Sequence, residues 1–371
     1  MKFEVTRDAL LDPLLAVQGV VERRQTSPIL ANVLLRIDAG MLSVTATDNE
    51  IELVAEAELE GVDAGEVTVP AKKLVDICRT LPKDAKVSFS TQDHKALLRS
   101  GRSRFTLSTL PSDEFPATDD PINELEFEVE QSQFKRLIDL TQFAMAQQDV
   151  RYYLNGLLLE IGDGYLRAVA TDGHRLAAAE MVLESPLVKG TEPRQIIVPR
   201  KGVLEIQKLL SNSPEKAKVI IGANALRMSV TGAQLTTKLI DGRFPDYERV
   251  IPRHDTSDKQ VVIERDQFIG CLTAVSVLSN DKYRAVRLSL DARVLRVVAN
   301  NPEQEEAEVE LEVDYSGEPL EIGFNVGYMI QAVNALPSEQ VRLCLTDSSS
   351  SCLILAEGHD DCRYVVMPMR L

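Results

Sequence analysis

Alternation of apolar and polar side chains opens the chain, with Phe3 and Val5 set against Glu4 and Thr6. Leu10, Leu11, Leu14 and Leu15 follow at helical spacing. The period of two predicts a strand, and the spacing of three to four predicts a helix with one buried face. The same pair returns twice. Phe127-Glu128-Val129-Glu130 precedes Phe134, Leu137 and Ile138, and Val261-Val262-Ile263-Glu264 precedes Phe268, Leu272 and Val275. Asp8, Ser132 and Asp266 hold equivalent positions and are expected as N-caps. Pro13 is expected early in its helix, where proline is tolerated. Alternating β-branched segments then predict antiparallel strands with one wet face at Val33 to Ile37, Leu42 to Thr47, Leu157 to Ile161, Leu166 to Thr171 and Val286 to Leu290. A second helix is predicted over Ala71 to Leu81, Arg200 to Leu210 and Val326 to Leu336. Pro82, Pro337 and, more loosely, Pro214 mark its stops.

Further strings keep the same order. Leu42 to Asp48 reads LSVTATD, Leu166 to Asp172 reads LRAVATD and Leu295 to Asn301 reads LRVVANN. Val69-Pro70-Ala71-Lys72-Lys73 returns as Val198-Pro199-Arg200-Lys201-Gly202, and Phe115-Pro116 as Phe244-Pro245. The repeating unit is therefore a whole domain of roughly 125 residues, well above solenoid length. Two helices beside antiparallel strands in each copy make an α+β fold of three repeated domains. Their expected bounds are 1–120, 121–250 and 251–371, with acidic, proline-containing junctions at Ala117 to Glu124 and Val250 to Gln260.

The 371 residues are 44% hydrophobic, enough apolar material for a core in each repeat. Met1-Lys2-Phe3-Glu4 opens directly into a strand-like pattern with no apolar stretch and small-residue cleavage site behind it, so no secretory signal is expected, and Cys78, Cys271, Cys344, Cys352 and Cys362 form no Cys-x-x-Cys pair. Reduced core thiols and a cytoplasmic location are expected. The net charge of −16 argues against a nucleic-acid partner until its distribution is considered. Glu50 to Glu66, Ser112 to Glu130 and Asn301 to Glu321 hold seven, eight and nine carboxylates with no basic residue. Basic excess falls instead on the recurring helical segments, with Lys72, Lys73, Arg79, Lys83 and Lys86 in one and six basic residues between Arg194 and Lys218 in another.

Candidate chemistry is sparse. His94, His174, His254 and His359 show no metal-ligand spacing, and no phosphate loop or nucleophile elbow appears, so no cofactor, metal or catalytic residue is expected. Thr171-Asp172-Gly173-His174-Arg175 is the one dense polar cluster, and an aspartate two residues from a histidine can orient a general base. Asp172, however, matches Asp48 of the first repeat, where Glu50 replaces His174, so a repeated strand-end turn also accounts for it. The end of the chain, Met367-Pro368-Met369-Arg370-Leu371, carries flexible thioethers suited to several partners, or forms a last edge strand. A hydrolase or transferase built on Asp172 and His174, and a monomeric peptide-binding scaffold, both stay open on these residues.

Several long strings resemble the beta subunit of bacterial DNA polymerase III, the sliding clamp family, from one end of the chain to the other. They are Asp149-Val150-Arg151-Tyr152-Tyr153-Leu154-Asn155-Gly156, Ala170 to Leu176, Val198 to Gly202, Asp241 to Tyr247, Asn300 to Ala307 and Val366 to Leu371. The resemblance implies a non-enzymatic, head-to-tail homodimeric ring of six similar domains. Helices would line a hole around duplex DNA and confer processivity on the replicative polymerase. It implies DNA-facing roles for Arg24, Lys72, Lys73, Gln148, Arg151, Tyr152, Tyr153, Arg200 and Lys201.

It also implies a groove between the second and third domains for an apolar peptide. Partners would be the DNA polymerase III alpha and delta subunits, the clamp loader, translesion polymerases, mismatch repair proteins and ligase. The groove residues would be Leu154, Thr171, Gly173, His174, Arg175, Leu176, Pro245, Arg249, Val250, Tyr328, Ser351, Val365, Met367, Pro368, Met369 and Arg370. The dimer contact would use Lys73, Arg102, Arg104, Phe105, Leu107, Val277, Leu278, Glu303, Glu305, Glu306 and Glu308. Two departures stand out: Glu22 and Arg23 replace expected glycines, and Ser348 to Ser351 is less apolar than the family pattern.

Overall fold

The computed structural model describes residues 1–21, 27–59, 63–118, 121–183, 193–253, 257–280 and 282–370. Three successive stretches of chain use one element order: strand, helix, four strands, helix, three strands. The first is β1 (Lys2–Thr6), α1 (Arg7–Val17), β2 (Asn32–Asp38), β3 (Met41–Thr47), β4 (Ile51–Glu58), β5 (Gly65–Pro70), α2 (Ala71–Thr80), β6 (Lys86–Gln92), β7 (Lys95–Ser100) and β8 (Ser103–Ser108). The second is β9 (Leu125–Glu130), α3 (Gln131–Asp139), β10 (Gly156–Ile161), β11 (Tyr165–Thr171), β12 (Arg175–Val182), β13 (Arg194–Pro199), α4 (Arg200–Leu209), β14 (Lys216–Ile221), β15 (Ala225–Val230) and β16 (Ala233–Lys238). The third is β17 (Lys259–Glu264), α5 (Arg265–Ser276), β18 (Ala285–Asp291), β19 (Val294–Asn300), β20 (Glu306–Glu312), β21 (Leu320–Asn325), α6 (Val326–Ala335), β22 (Gln340–Leu345), β23 (Cys352–Ala356) and β24 (His359–Val366).

The strand pairs are antiparallel, in sheets ordered β1-β6-β7-β8, β5-β2-β3-β4-β16-β15-β14-β9, β13-β10-β11-β12-β24-β23-β22-β17 and β20-β19-β18-β21. The chain divides into two compact units, one of Met1–Ser132 with Leu204–Leu239 and one of Gln133–Val203 with Ile240–Leu371. The division cuts the second repeat rather than the junctions between repeats. The cause lies in the ladders: β16 pairs with β4 of the first repeat, and β12 pairs with β24 of the third.

In the first unit α1 packs on α2, β3 and β4, burying Leu10, Leu14 and Val17 beside Leu74, Val75 and Cys78. In the second, α5 packs on α6, β19 and β20 through Phe268, Leu272 and Val275. All five cysteines are free and buried. Among the described residues no helix is long and apolar enough to cross a membrane.

Three local expectations need correction. Asp8, Ser132 and Asp266 are not N-caps; each stands second in its helix, because strand runs into helix without a loop and the cap falls on the last strand residue. Thr6 thus caps α1, its Oγ1 accepting from the Ala9 amide at 3.3 Å. Asp8 and Asp266 still face the positive end of the helix dipole. Leu15 is 38% exposed, and the buried stripe runs instead through Leu10, Leu11, Leu14 and Val17. Pro13 lies inside α1, where its nitrogen cannot donate to the carbonyl four residues back.

Candidate functional site

The dense polar cluster sits on the turn between β11 and β12. Asp172 Oδ1 accepts the amides of His174 and Arg175 at 2.9 and 3.1 Å, while Thr171 Oγ1 accepts from the Gly173 amide and donates to the Arg175 carbonyl. Between β3 and β4 the pattern is duplicated: Asp48 Oδ1 accepts Glu50 and Ile51 at 2.9 Å each, and Thr47 bonds Asn49 and Ile51. Both turns need a left-handed residue, Gly173 at φ +86° and Asn49 at φ +75°. The aspartate is thus a turn former. Its second oxygen takes Arg175 Nε at 3.0 Å, so the carboxylate meets the His174 amide rather than orienting its ring as a catalytic base.

Arg175 is the hub, only 9% exposed. It also donates Nη2 to the Phe143 carbonyl at 2.7 Å and Nη1 to Gln331, and it lies over the rings of Tyr328 and Phe143. His174 is exposed and stacks on Tyr328, whose phenol burial pushes up in pKa. Around these groups lies a cavity of about 620 Å³ that Gln148, Asp149 and Arg200 also line. Two sets assigned different roles on sequence, Gln148 with Arg200 and His174 with Arg175 and Tyr328, therefore share one recess.

Beside the turn, Leu154, Leu176 and Val365 are buried in one apolar cluster with Leu158, Val169, Leu353, Phe244 and Tyr247. The chain after β16 crosses this sheet face and carries Phe244 and Tyr247 onto it. Tyr247 Oη accepts from Arg167 Nη1 at 2.7 Å and donates to the buried Glu160 at 3.2 Å; burial pushes its pKa up to about 12. That anchor holds an exposed rim of Pro245, Arg249 and Val250, with Arg249 3 residues from its ion-pair partner Asp246 at 2.7 Å. On the opposite side the amide of Met367, a 42% exposed residue, donates to the His174 carbonyl at 2.9 Å. Pro368 and Met369 are half-buried, Met369 donating its amide to Gly323, and Arg370 is exposed. The serine run has a local cause: Ser349 and Ser350 bond Asp347, holding its carboxyl at about 2, and Ser351 is half-buried behind them.

The other predicted residues fall as follows. Arg24, with Glu22 and Arg23, lies outside the described residues, as do His254 and Leu371. Lys72 and Lys73 are exposed on α2, opposite its buried Leu74 and Cys78. Arg200 and Lys201 open α4, half-buried. Arg151 grips Asp149 with two nitrogens and covers Gly173, where a Cβ would stand 2.8 Å from Nη1. Tyr152 is 56% exposed and meets Tyr153 edge to face, while Tyr153 packs against the apolar cluster.

Arg102 is exposed, and Arg104, Phe105 and Leu107 lie on β8, the end strand of its sheet; Leu107 is buried there. Glu306 and Glu308 lie on β20, likewise an end strand, with Glu303 and Glu305 exposed just before it and Glu308 2.8 Å from Arg296. Val277, 77% exposed, and half-buried Leu278 follow α5.

Phe143, Arg167, Phe244, Tyr247, Gln331 and Leu353 were not anticipated at the site. For Phe244 the signal was present, since its counterpart Phe115 recurs before proline and is buried with Ile29, Leu30 and Leu34.

Residues 1–119, 128–246 and 248–370 match the N-terminal, central and C-terminal domains of the DNA polymerase III beta subunit. The beta sliding clamps of Pseudomonas aeruginosa and Escherichia coli K12 are 50% and 48% identical, each over 100% of both chains. A crystal structure of the Pseudomonas aeruginosa sliding clamp bound to griselimycin superposes with a TM-score of 0.95, at 50% identity and full coverage of both chains. The chain therefore belongs to the DNA polymerase III beta subunit family, the beta sliding clamps.

Proposed function

We propose that two copies of this chain close head to tail into a ring of six repeats, bounded in each chain at 1–120, 121–250 and 251–371. The ring encircles duplex DNA and tethers the replicative polymerase, without catalysis of its own, in the cytoplasm. One observation carries the reading. The strand joins β4 to β16 and β12 to β24 are equivalent positions in successive repeats, and the strands that would make the third such join, β20 and β8, end their sheets unpaired among the described residues. Joining β20 of one copy to β8 of another repeats the internal contact, and a head-to-tail contact gives a closed ring when its rotation closes. In the register of the internal joins, Phe105 faces Ala307 and Arg104 faces Glu308.

DNA then meets Lys72, Lys73, Gln148, Arg151, Tyr152, Tyr153, Arg200, Lys201 and Arg24, through phosphate contacts that read no sequence. The surface that runs from buried Leu176 and Val365 to exposed Met367 and Val250 takes an extended peptide anchored by leucine or phenylalanine, from polymerase subunits, the clamp loader, or repair and ligase proteins. The test is retention: the protein should stay on nicked circular DNA and leave within seconds once that DNA is linearised. Equal retention on both forms, or a sedimentation mass of one chain, overturns the ring.

A further inference from the structure

The strand join that carries Leu176 has an internal counterpart in the first unit. Across β11, β12, β24 and β23 one row of facing residues runs Thr171, Leu176, Val365 and Leu353. Across β3, β4, β16 and β15 the same row runs Thr47, Glu52, Thr236 and Arg227. Both joins end on the same backbone bond, Met367 to His174 at 2.9 Å and Lys238 to Glu50 at 2.8 Å. The apolar cover is kept as well, with Leu154, Leu158 and Phe244 at one join and Leu30, Leu34 and Phe115 at the other.

The row and its end differ, as does Ile51, which stands where the other join has Arg175. At the first join Arg227 Nε donates to Thr236 Oγ1 at 2.9 Å, and Lys238 Nζ lies 3.2 Å from Glu50 Oε1.

We propose that this row decides where apolar peptides dock. Leu176, Val365 and Leu353 are buried and make an apolar floor on which leucine and phenylalanine side chains can pack, whereas Glu52 and Arg227, both half-buried, close the equivalent join, because an apolar chain laid there strips water from their charged groups and returns no hydrogen bond. The inference rests on the docking reading above.

The test titrates the full-length chain calorimetrically with a fluorescein-labelled hexapeptide ending in leucine and phenylalanine. One peptide per chain is expected for the unaltered protein. Glu50→His, Glu52→Leu, Arg227→Leu, Thr236→Val and Lys238→Met, combined, should raise this to two, and Val365→Thr alone should weaken the existing site by about tenfold. A folded five-site variant that still binds one peptide overturns the inference alone, as does unchanged affinity in Val365→Thr, which decides the matter if the five-site variant does not fold. Absence of any saturable binding to the unaltered chain overturns the docking reading itself, and the inference with it.

Discussion

The guanidinium of Arg175 lies 4.5 Å from the ring centroid of Tyr328 while its Nε holds Asp172 at 3.0 Å. One side chain thus ties the turn after β11 to α6. Arg175→Ala leaves the Asp172 carboxylate and the Phe143 carbonyl short of a donor and should cost about 3 kcal/mol of stability. Arg175→Lys should recover little of this, since an ammonium cannot stack or fork. Urea unfolding of the three proteins measures it, and a loss in Arg175→Ala within experimental error of zero would show that the hub is not needed.

Val277→Ala with Leu278→Ala should release monomers, because Val277 is 77% exposed in the single chain and has apolar surface to bury in a dimer. Arg104→Glu should also weaken the dimer, and adding Glu308→Arg should restore it if the two strands meet in the internal register. Sedimentation at submicromolar concentration reads both, and unchanged dimers in the first variant refute the contact.

Lys72 and Lys73 project from the solvent face of α2. Replacing both with alanine should flatten the salt dependence of DNA binding by roughly two units of log–log slope, the counterion release of two phosphate contacts. A slope identical to that of the unaltered protein would remove these lysines from the DNA path.

Burial pushes the Cys78, Cys271 and Cys344 thiols up to about 11 and Cys362 up to about 12, from an ordinary value of 9.0. The folded chain keeps protons that the unfolded chain gives up first. Their contribution is whole below pH about 9 and drains away as pH climbs towards 11, by about 2–3 kcal/mol for each thiol. Melting midpoints should hold steady from pH 7.5 to 9 and fall steeply by pH 10.5. A midpoint indifferent to alkali would contradict this.

Deleting residues 367–371 removes Met367, which bonds His174, and Met369, which bonds Gly323, yet touches neither β8 nor β20. The shortened protein should remain dimeric and lose affinity for the labelled hexapeptide by at least about tenfold. Full affinity after the deletion would move the docking site elsewhere.

Much of the fold was legible because each repeat states its pattern again. Strand and second-helix positions follow from the periodicity of Phe3 and Val5, of Leu42 to Thr47 and of Ala71 to Leu81, all local signals. The N-caps were misplaced by two residues because nothing in Asp8 or Asp266 says that the preceding strand runs into the helix without a turn. The site was legible in part. Asp172 declared itself a turn former through its match to Asp48, but Phe143 reaches Arg175 from a short turn of helix, Gln331 from α6, and Leu353 lies two strands from Leu176, and contacts so far apart in sequence leave no mark on neighbouring letters. Pairing of β16 with β4, and of β24 with β12, is hidden for the same reason.

That pairing makes the chain indivisible. Residues 1–120 expressed alone would lack the β16 partner of β4, and residues 251–371 alone would lack the β12 partner of β24. Each such piece bares a row of amides and carbonyls ready to recruit any passing strand. A single repeat taken from the chain is therefore not a sound module, and aggregation through the bared edge is its expected fate.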